Sequence, residues 1–345
     1  MNIKTLLLAS SLFFVVAGET HATCVNSPDS EGPVPVNLSF PASVIAIDAD
    51  QAADTATPIA EIETPTPGYP TKWDHCVTGD RTGKNVTGAL LTGSPQDGNK
   101  MFLTNIPGIK VKLLSYNGSA YSDLAYPYST TLNAGDSNEM AVTYSSNIKY
   151  KLQVFKTAPS LSLDPQGQNL LLQPGPVAYA WLNVDSMADP NVSQIITLDN
   201  LTLVSTPSCT FENAKTVNFG TVSGNLFDSG AQLQKPLDFA ITCRSDYSTY
   251  GATASISSDS ASTDGNYLKV RDASGASDAL AIAIKDGAGN PLKLDGSNNE
   301  SRLNIASNSP AEFHWTASLM AQPGVTKHPA EGSFTAHAEI LLQVK

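Results

Sequence analysis

Gly332-Ser-Phe-Thr-Ala-His-Ala-Glu-Ile-Leu-Leu-Gln-Val-Lys345 is the stretch whose reading decides the fold. Phe334, Ala336, Ala338, Ile340, Leu342 and Val344 occupy every second position, the period of a β-strand with one buried face. It is the last segment of the chain, so only an earlier strand folding back can pair with its outer side. A long final strand with so apolar a face is an aggregation hazard unless something covers it. Two readings follow: the last strand of a complete sandwich, or one that awaits a strand from elsewhere.

The 345 residues are poor in Lys and Arg and carry 24 Gly and 22 Pro. Thr, Ser and Asn are frequent and long helical periodicities are missing, which predicts an all-β protein with room for two cores. The formal charge of −12 argues against nucleic acid or an anionic membrane as partner. Met1 to Ala22, with Lys4, an apolar run from Leu6 to Ala17 and Thr20-His21-Ala22 before the cleavage point, reads as a secretory signal peptide. No later stretch approaches the ~20 apolar residues of a spanning helix.

Working back from the final strand, Cys209 and Cys243 flank Val217-Asn218-Phe219-Gly220-Thr221-Val222 and close on Phe239-Ala240-Ile241-Thr242-Cys243. Ala281-Ile282-Ala283-Ile284-Lys285-Asp286, a Gly/Asn turn and Pro291-Leu292 follow. In this order the elements resemble the pilin domain of chaperone–usher fimbriae of Gram-negative bacteria, over roughly residues 207 to 345. One departure is Val344, where such subunits usually carry an aromatic residue. The resemblance implies an incomplete immunoglobulin-like sandwich lacking its last strand. A donor strand would lie along Phe334, Ala336, Ala338, Ile340 and Leu342. The implied partners are a periplasmic chaperone, the outer-membrane usher and the adjacent fimbrial subunit.

Four cysteines in an exported chain read as two disulfides. Of three connectivities, Cys24–Cys76 with Cys209–Cys243 keeps each bridge within one domain, and the second bridge matches the resemblance. Shaft subunits of the family carry a donor arm before their first cysteine. Here the expected mature chain has one residue before Cys24, which places the protein at the fimbrial tip, exported through the periplasm to the cell surface.

The N-terminal part is less explicit. From Thr23 to Pro70 there is no Lys or Arg, and Asp48 to Pro70 is rich in Ala, Thr and Pro, which predicts a long surface loop. Asp48, Asp50 and Asp54 could offer oxygen ligands to calcium, against the plainer reading of a solvated acidic loop. Tyr69, Trp73, Asp74 and His75 cluster beside Cys76. An aromatic face for the apolar side of a pyranose, with polar groups for its hydroxyls, suits sugar binding; packing of Trp73 over the disulfide is the alternative. Gly79-Asp80-Arg81-Thr82-Gly83-Lys84 falls short of a P-loop, with three residues between the glycines and Asn85 after the lysine.

Phe102 to Leu113 reads as a strand entered through Pro107-Gly108, and its wording is similar to a segment in two-domain fimbrial adhesins. Tyr116, Tyr121, Tyr126 and Tyr128 lie in a Ser/Asn/Gly/Pro-rich stretch, with Tyr126 and Tyr128 a second candidate stacking platform. Strands are expected at Ile148 to Lys156, at Val177 to Val184 and, closing the first domain, at Ile195 to Val204. Ser205 to Ser208 is a short linker that tethers the domains closely.

The sequence thus reads as a signal peptide (1–22), a lectin-like receptor-binding β-sandwich (23–204), a linker (205–208) and a pilin domain (209–345). It carries no HExxH, GxSxG or complete P-loop, and no metal or cofactor is expected. Paired carboxylates could hydrolyse glycosides, but no pair stands out. The expected function is a non-enzymatic tip adhesin for a host glycan or matrix glycoprotein. A non-adhesive minor structural or adaptor subunit is the alternative.

Overall fold

The structure, a computed structural model, describes residues 24–90, 98–125, 127–183, 185–188, 191–211, 214–224 and 228–345. The expected signal peptide and Tyr126 lie outside these residues. Among the described residues strands dominate, with a 3-10 turn at Gly88–Leu90.

Two hydrophobic cores organise the chain. The first is built from residues between Val36 and Leu203, the second from residues between Phe219 and Leu319. Around the first core, one sheet carries Tyr128–Thr131, Arg81–Val86, Gly175–Leu182, Val192–Leu198 and Val36–Phe40 in that spatial order. It faces a sheet of Ala60–Glu63, Lys149–Lys156, Ile109–Tyr116 and Phe102–Leu103. The interior of the pair is supplied by alternate residues, as in Ile109, Val111 and Leu113 against Val36, Leu38 and Phe40.

The expected closing strand from Ile195 to Val204 is two strands. Asp199 and Asn200 break it, and Val192–Leu198 and Leu201–Thr206 lie parallel to Val36–Phe40 and Ser43–Asp48 respectively. Asn200 donates its N–H to the Asp199 side chain, a local bond that competes with the ladder. Of the four residues expected as a linker, Ser205 and Thr206 belong to a strand and Ser208 begins the next, leaving Pro207 between them.

The acidic stretch is not all loop: Ala60–Glu63 forms an edge strand on Lys149–Lys156. Composition misleads here because cross-strand charges fix the register. Glu63 accepts from Lys149 at 2.5 Å and Glu61 from Lys151 at 2.8 Å, while Ile59 and Ile62 cover the core. By contrast, Phe102–Leu103 turns through Gly108, at φ +91°, into Ile109–Tyr116 as its Pro-Gly signal implies. A Cβ on Gly108 would strike Ala158 at 2.7 Å.

The second core lies between a sheet ordered Ser208–Phe211, Leu233–Arg244, Pro310–Ala321, Leu280–Lys285 and Leu268–Val270, and a sheet ordered Glu300–Ala306, Thr249–Ser257 and Glu339–Val344. Phe239, Phe313 and Trp315 fill its centre, Phe239 and Phe313 stacked at 5.0 Å and Trp315 edge-on to Phe239 at 4.8 Å. Cys209 faces Cys243 across the ladder and is bonded to it; Cys24 is bonded to Cys76.

The cores meet at the turn between Leu233–Arg244 and Thr249–Ser257. Asp246, fully buried there, accepts from the Leu161 N–H at 2.9 Å and the Ser205 hydroxyl at 2.7 Å. Tyr247 packs on the first core and its hydroxyl accepts the Ser205 N–H at 3.1 Å. Buried Lys156 donates to the Ala49 carbonyl at 3.2 Å. Burial pushes its ammonium pKa down, and the nearby Asp246 charge opposes that shift.

Candidate functional site

Two places merit description: the edge at the final strand, and the sheet end around Lys84.

The final strand is shorter than the alternating stretch implies. Glu339–Val344 pairs antiparallel with Thr249–Ser257 from Ser257↔Glu339 to Ala252↔Val344. Before it, only Thr335 makes a bridge, to Arg271. Its other edge has no neighbouring strand among the described residues. Phe334, Ala336, Ile340 and Leu342 pack against the second core while remaining half-buried, and Ala338 is exposed. An edge with unpaired N–H and C=O groups and half-buried apolar side chains can pair with a further strand.

The opposite wall of this opening is the segment 214–223, expected as a strand from Val217 to Val222. Alternation holds only from Val217 to Phe219, where Phe219 is buried; Thr221 is exposed and Val222 packs on the second core one step out of phase, and the backbone joins no ladder. Asn218 accepts the Gly220 N–H at 2.8 Å, and Gly220 sits at φ +71°, a turn that breaks extended pairing. Between this segment and residues 328–334 lies a cavity of about 860 Å³, reached by Phe219, Val222, Leu280 and Phe334. Asp272 holds its far rim. It accepts N–H groups from Ser274, Ala276 and Ala330 at 2.9 to 3.1 Å and the Ser274 hydroxyl at 2.6 Å. These bonds, the Ser274 hydroxyl foremost, hold its carboxyl at about 2.

The aromatic cluster beside Cys76 is dispersed by the strand that contains it. On Thr71–Cys76 the side chains alternate, so Thr71 and Trp73 turn inward while Lys72 and Asp74 turn outward. Trp73 is 0% exposed, packed with Cys24, Cys76 and Leu182 and edge-on to Tyr144 at 5.5 Å. With no exposed face it cannot stack on a sugar, and packing over the disulfide is its role. Asp74 accepts from Ser27 and pairs with Lys72 at 3.4 Å. His75, at φ +58°, is exposed and bonded to Glu139 at 2.7 Å, which raises its pKa. Tyr69 lies over Gly32 and donates to the Pro33 carbonyl at 3.3 Å.

Asp48, Asp50 and Asp54 do not converge. Asp54 spends its carboxylate on the Ala56 N–H at 2.7 Å. Among the described residues the one close group of potential metal ligands is Cys24, Cys76 and Asp80, and both cysteines are in a disulfide.

Of the tyrosines, Tyr116 and Tyr121 lie 5.0 Å apart under the Lys149 and Lys151 ammonium groups, which cover the faces a sugar would need. Tyr128 is different: it is 58% exposed on the edge strand Tyr128–Thr131. Its cross-strand neighbour is Lys84, followed in the same row by Ala180 and Gln194. The sequence singled out Lys84 only in discarding a P-loop, and Gln194 not at all. Their adjacency depends on pairing between segments about a hundred residues apart.

No curated protein matches. Among solved structures, the chaperone–tip subunit pre-assembly complex of CsuC and CsuE from archaic Csu pili of Acinetobacter baumannii is similar at 12% identity and TM-score 0.39, over 90% of this chain and 99% of that one. The CupB6 tip adhesin of Pseudomonas aeruginosa is similar at 13% identity and TM-score 0.34, over 89% and 94%. The receptor-binding domain of the adhesin MrkD1P of Klebsiella pneumoniae is similar at 20% identity and TM-score 0.34, over 54% and 97%. The model of the family described as fimbrial protein matches residues 198–345.

Proposed function

We propose that the protein is a fimbrial tip adhesin. In this reading residues 209–345 are a pilin domain completed by a strand from the adjacent subunit, and residues 23–204 are a receptor-binding domain for a host glycan or matrix glycoprotein. The observation that carries it is the open edge of Glu339–Val344. Its apolar side chains are half-buried, and the facing wall, 214–223, turns Val217, Phe219 and Val222 to the core without a strand's ladder. One inserted strand would satisfy both edges and cover Phe334, Ile340 and Leu342. The fimbrial family match supports it independently.

A periplasmic chaperone would hold the groove until the adjacent subunit's strand replaces it at the usher, since an uncovered edge of this kind aggregates. The first sandwich has its own core and its own disulfide, and the Asp246 joint ties it to the second. One end of such a molecule is committed to the polymer and the other is free to bind. No catalytic role enters this reading.

The test is an array of glycans and matrix proteins probed with the full oxidised chain, its groove filled by a donor peptide. Saturable binding that Tyr128→Ala weakens supports the adhesin. Silence from a folded protein would contradict it and favour a non-adhesive structural or adaptor subunit.

A further inference from the structure

Lys84 differs from the other lysines described in the first sandwich, even from buried Lys156, which donates to the Ala49 carbonyl and has the Asp246 charge nearby. Lys72, Lys100, Lys112, Lys149 and Lys151 each lie within 3.4 Å of a carboxylate, as expected where acids outnumber bases seventeen to nine between Thr23 and Val204. Lys84 has no carboxylate partner among the described residues, and its pKa is lowered by burial with no charge nearby to oppose the shift. An uncompensated, desolvated ammonium destabilises a fold, and one in an acidic domain with carboxylates to spare calls for a reason.

The strand register supplies its setting. Tyr128, Lys84, Ala180 and Gln194 form one cross-strand row, so their side chains stand on one face of the sheet. Two residues along, the row Val86, Ala178 and Ile196 belongs to the core, so this is the inward face. The row runs from solvent at Tyr128, on the sheet's edge strand, to full burial at Gln194, 1% exposed. Ala180, between Lys84 and Gln194, is the smallest side chain of the row. Tyr150 of the facing sheet lies with its ring 5.6 Å from the Lys84 ammonium and its hydroxyl donating to Gln194 Oε1 at 2.7 Å. The amide of Gln194 is thereby fixed, and its Nε2 is a buried donor with no acceptor. Among the described residues the row thus holds two surplus donors, the charged Lys84 and the Gln194 amide, and an exposed aromatic ring stands at its outer end. Surplus buried donors are satisfied by an acceptor-rich group.

We infer that this row is a binding site for an anionic saccharide. The sugar ring lies on Tyr128, and its carboxylate or sulfate enters beside it to pair with Lys84. The inference rests on the glycan-binding reading above and narrows it to acidic glycans. It runs against the domain's overall charge, so local geometry and not long-range attraction sets the preference.

The experiment measures binding by the full oxidised chain, groove filled by donor peptide, to matched pairs differing only in charge. The pairs are sialyllactose with lactose, for a carboxylate, and a sulfated chondroitin hexasaccharide with its desulfated form, for a sulfate. The expected result is that the acidic member of at least one pair binds tenfold or more tightly, and which pair identifies the group. That preference falls with added salt, disappears in Lys84→Gln and returns in Lys84→Arg. Tyr128→Ala weakens both members of the pair. Lys84→Met, which removes the uncompensated charge, keeps or raises the melting temperature, whereas a lysine with a purely structural role would lower it. Equal binding of charged and neutral members, or a preference that survives Lys84→Gln, overturns the inference and leaves the adhesin reading standing. Binding to no glycan at all overturns both.

Discussion

Asp246→Ala should uncouple the two sandwiches. The carboxylate is buried and its two oxygens are spoken for, Oδ1 by the Leu161 N–H at 2.9 Å and Oδ2 by the Ser205 hydroxyl at 2.7 Å. Alanine leaves both donors buried without an acceptor, at about 1–3 kcal/mol each, so the expected loss is about 2–6 kcal/mol. Lys156 also loses the charge that opposes its desolvation, which pushes the loss to the upper end. Asp246→Asn keeps one acceptor oxygen and should cost about half as much. Equilibrium denaturation of the oxidised chain gives the total, and amide exchange at Leu161 and Leu163 localises it, because the Leu163 N–H bonds to the Asp246 carbonyl at 2.8 Å. An Asp246→Ala variant within about 0.5 kcal/mol of the parent, with Leu161 exchange unchanged, would refute the claim that this carboxylate joins the sandwiches, since substitutions without structural consequence fall in that range.

Three further outcomes follow from the same structure. Trp73→Ala empties a fully buried site against the Cys24–Cys76 bridge and should destabilise the first sandwich by about 3–5 kcal/mol, while glycan affinity of the protein that remains folded stays unchanged; a selective loss of affinity would restore Trp73 as a ligand contact. Ala338→Asp should leave the isolated chain's melting temperature nearly unaltered, because Ala338 is exposed, and yet block incorporation into fimbriae, where a donor strand would bury the charge. Normal incorporation would count against the groove. Asp272 has a depressed folded pKa, so the stability it contributes is present above its unfolded value near 3.8 and is lost as pH falls towards about 2. Acid in that window should speed amide exchange at Ala330, whose N–H it accepts at 2.9 Å, and Asp272→Asn should abolish the pH dependence.

The legible parts of the fold were those set by local period and turn chemistry. Lys149–Lys156 and Ile109–Tyr116 carry two-residue alternation, and Pro107-Gly108 announces the turn. Ala60–Glu63 was hidden because its stability comes from Lys149 and Lys151, nearly ninety residues away, rather than from its own composition. The segment from Val217 to Val222 shows the reverse failure: it packs on the core, but its alternation slips at the Gly220 turn, and a ladder needs a neighbour that is not present among the described residues. For the site, proximity in sequence misled. Trp73 and Asp74 are adjacent and therefore face opposite ways on a strand. Lys84 and Gln194 became neighbours in one row only through Ala180, and that register depends on bulges in the strand pair that sequence does not announce.

The most direct measurement is the melting temperature of the oxidised chain with and without a synthetic peptide carrying the alternating apolar arm of the cognate shaft subunit. At a concentration a hundredfold above its dissociation constant, such a peptide adds about 2.7 kcal/mol, a rise of roughly 5–10 °C for a domain of this size. That rise, abolished by Ala338→Asp, is the expected result for an open groove beside Glu339–Val344. An unshifted transition at saturating peptide would mean that the second sandwich is already complete and accepts no strand.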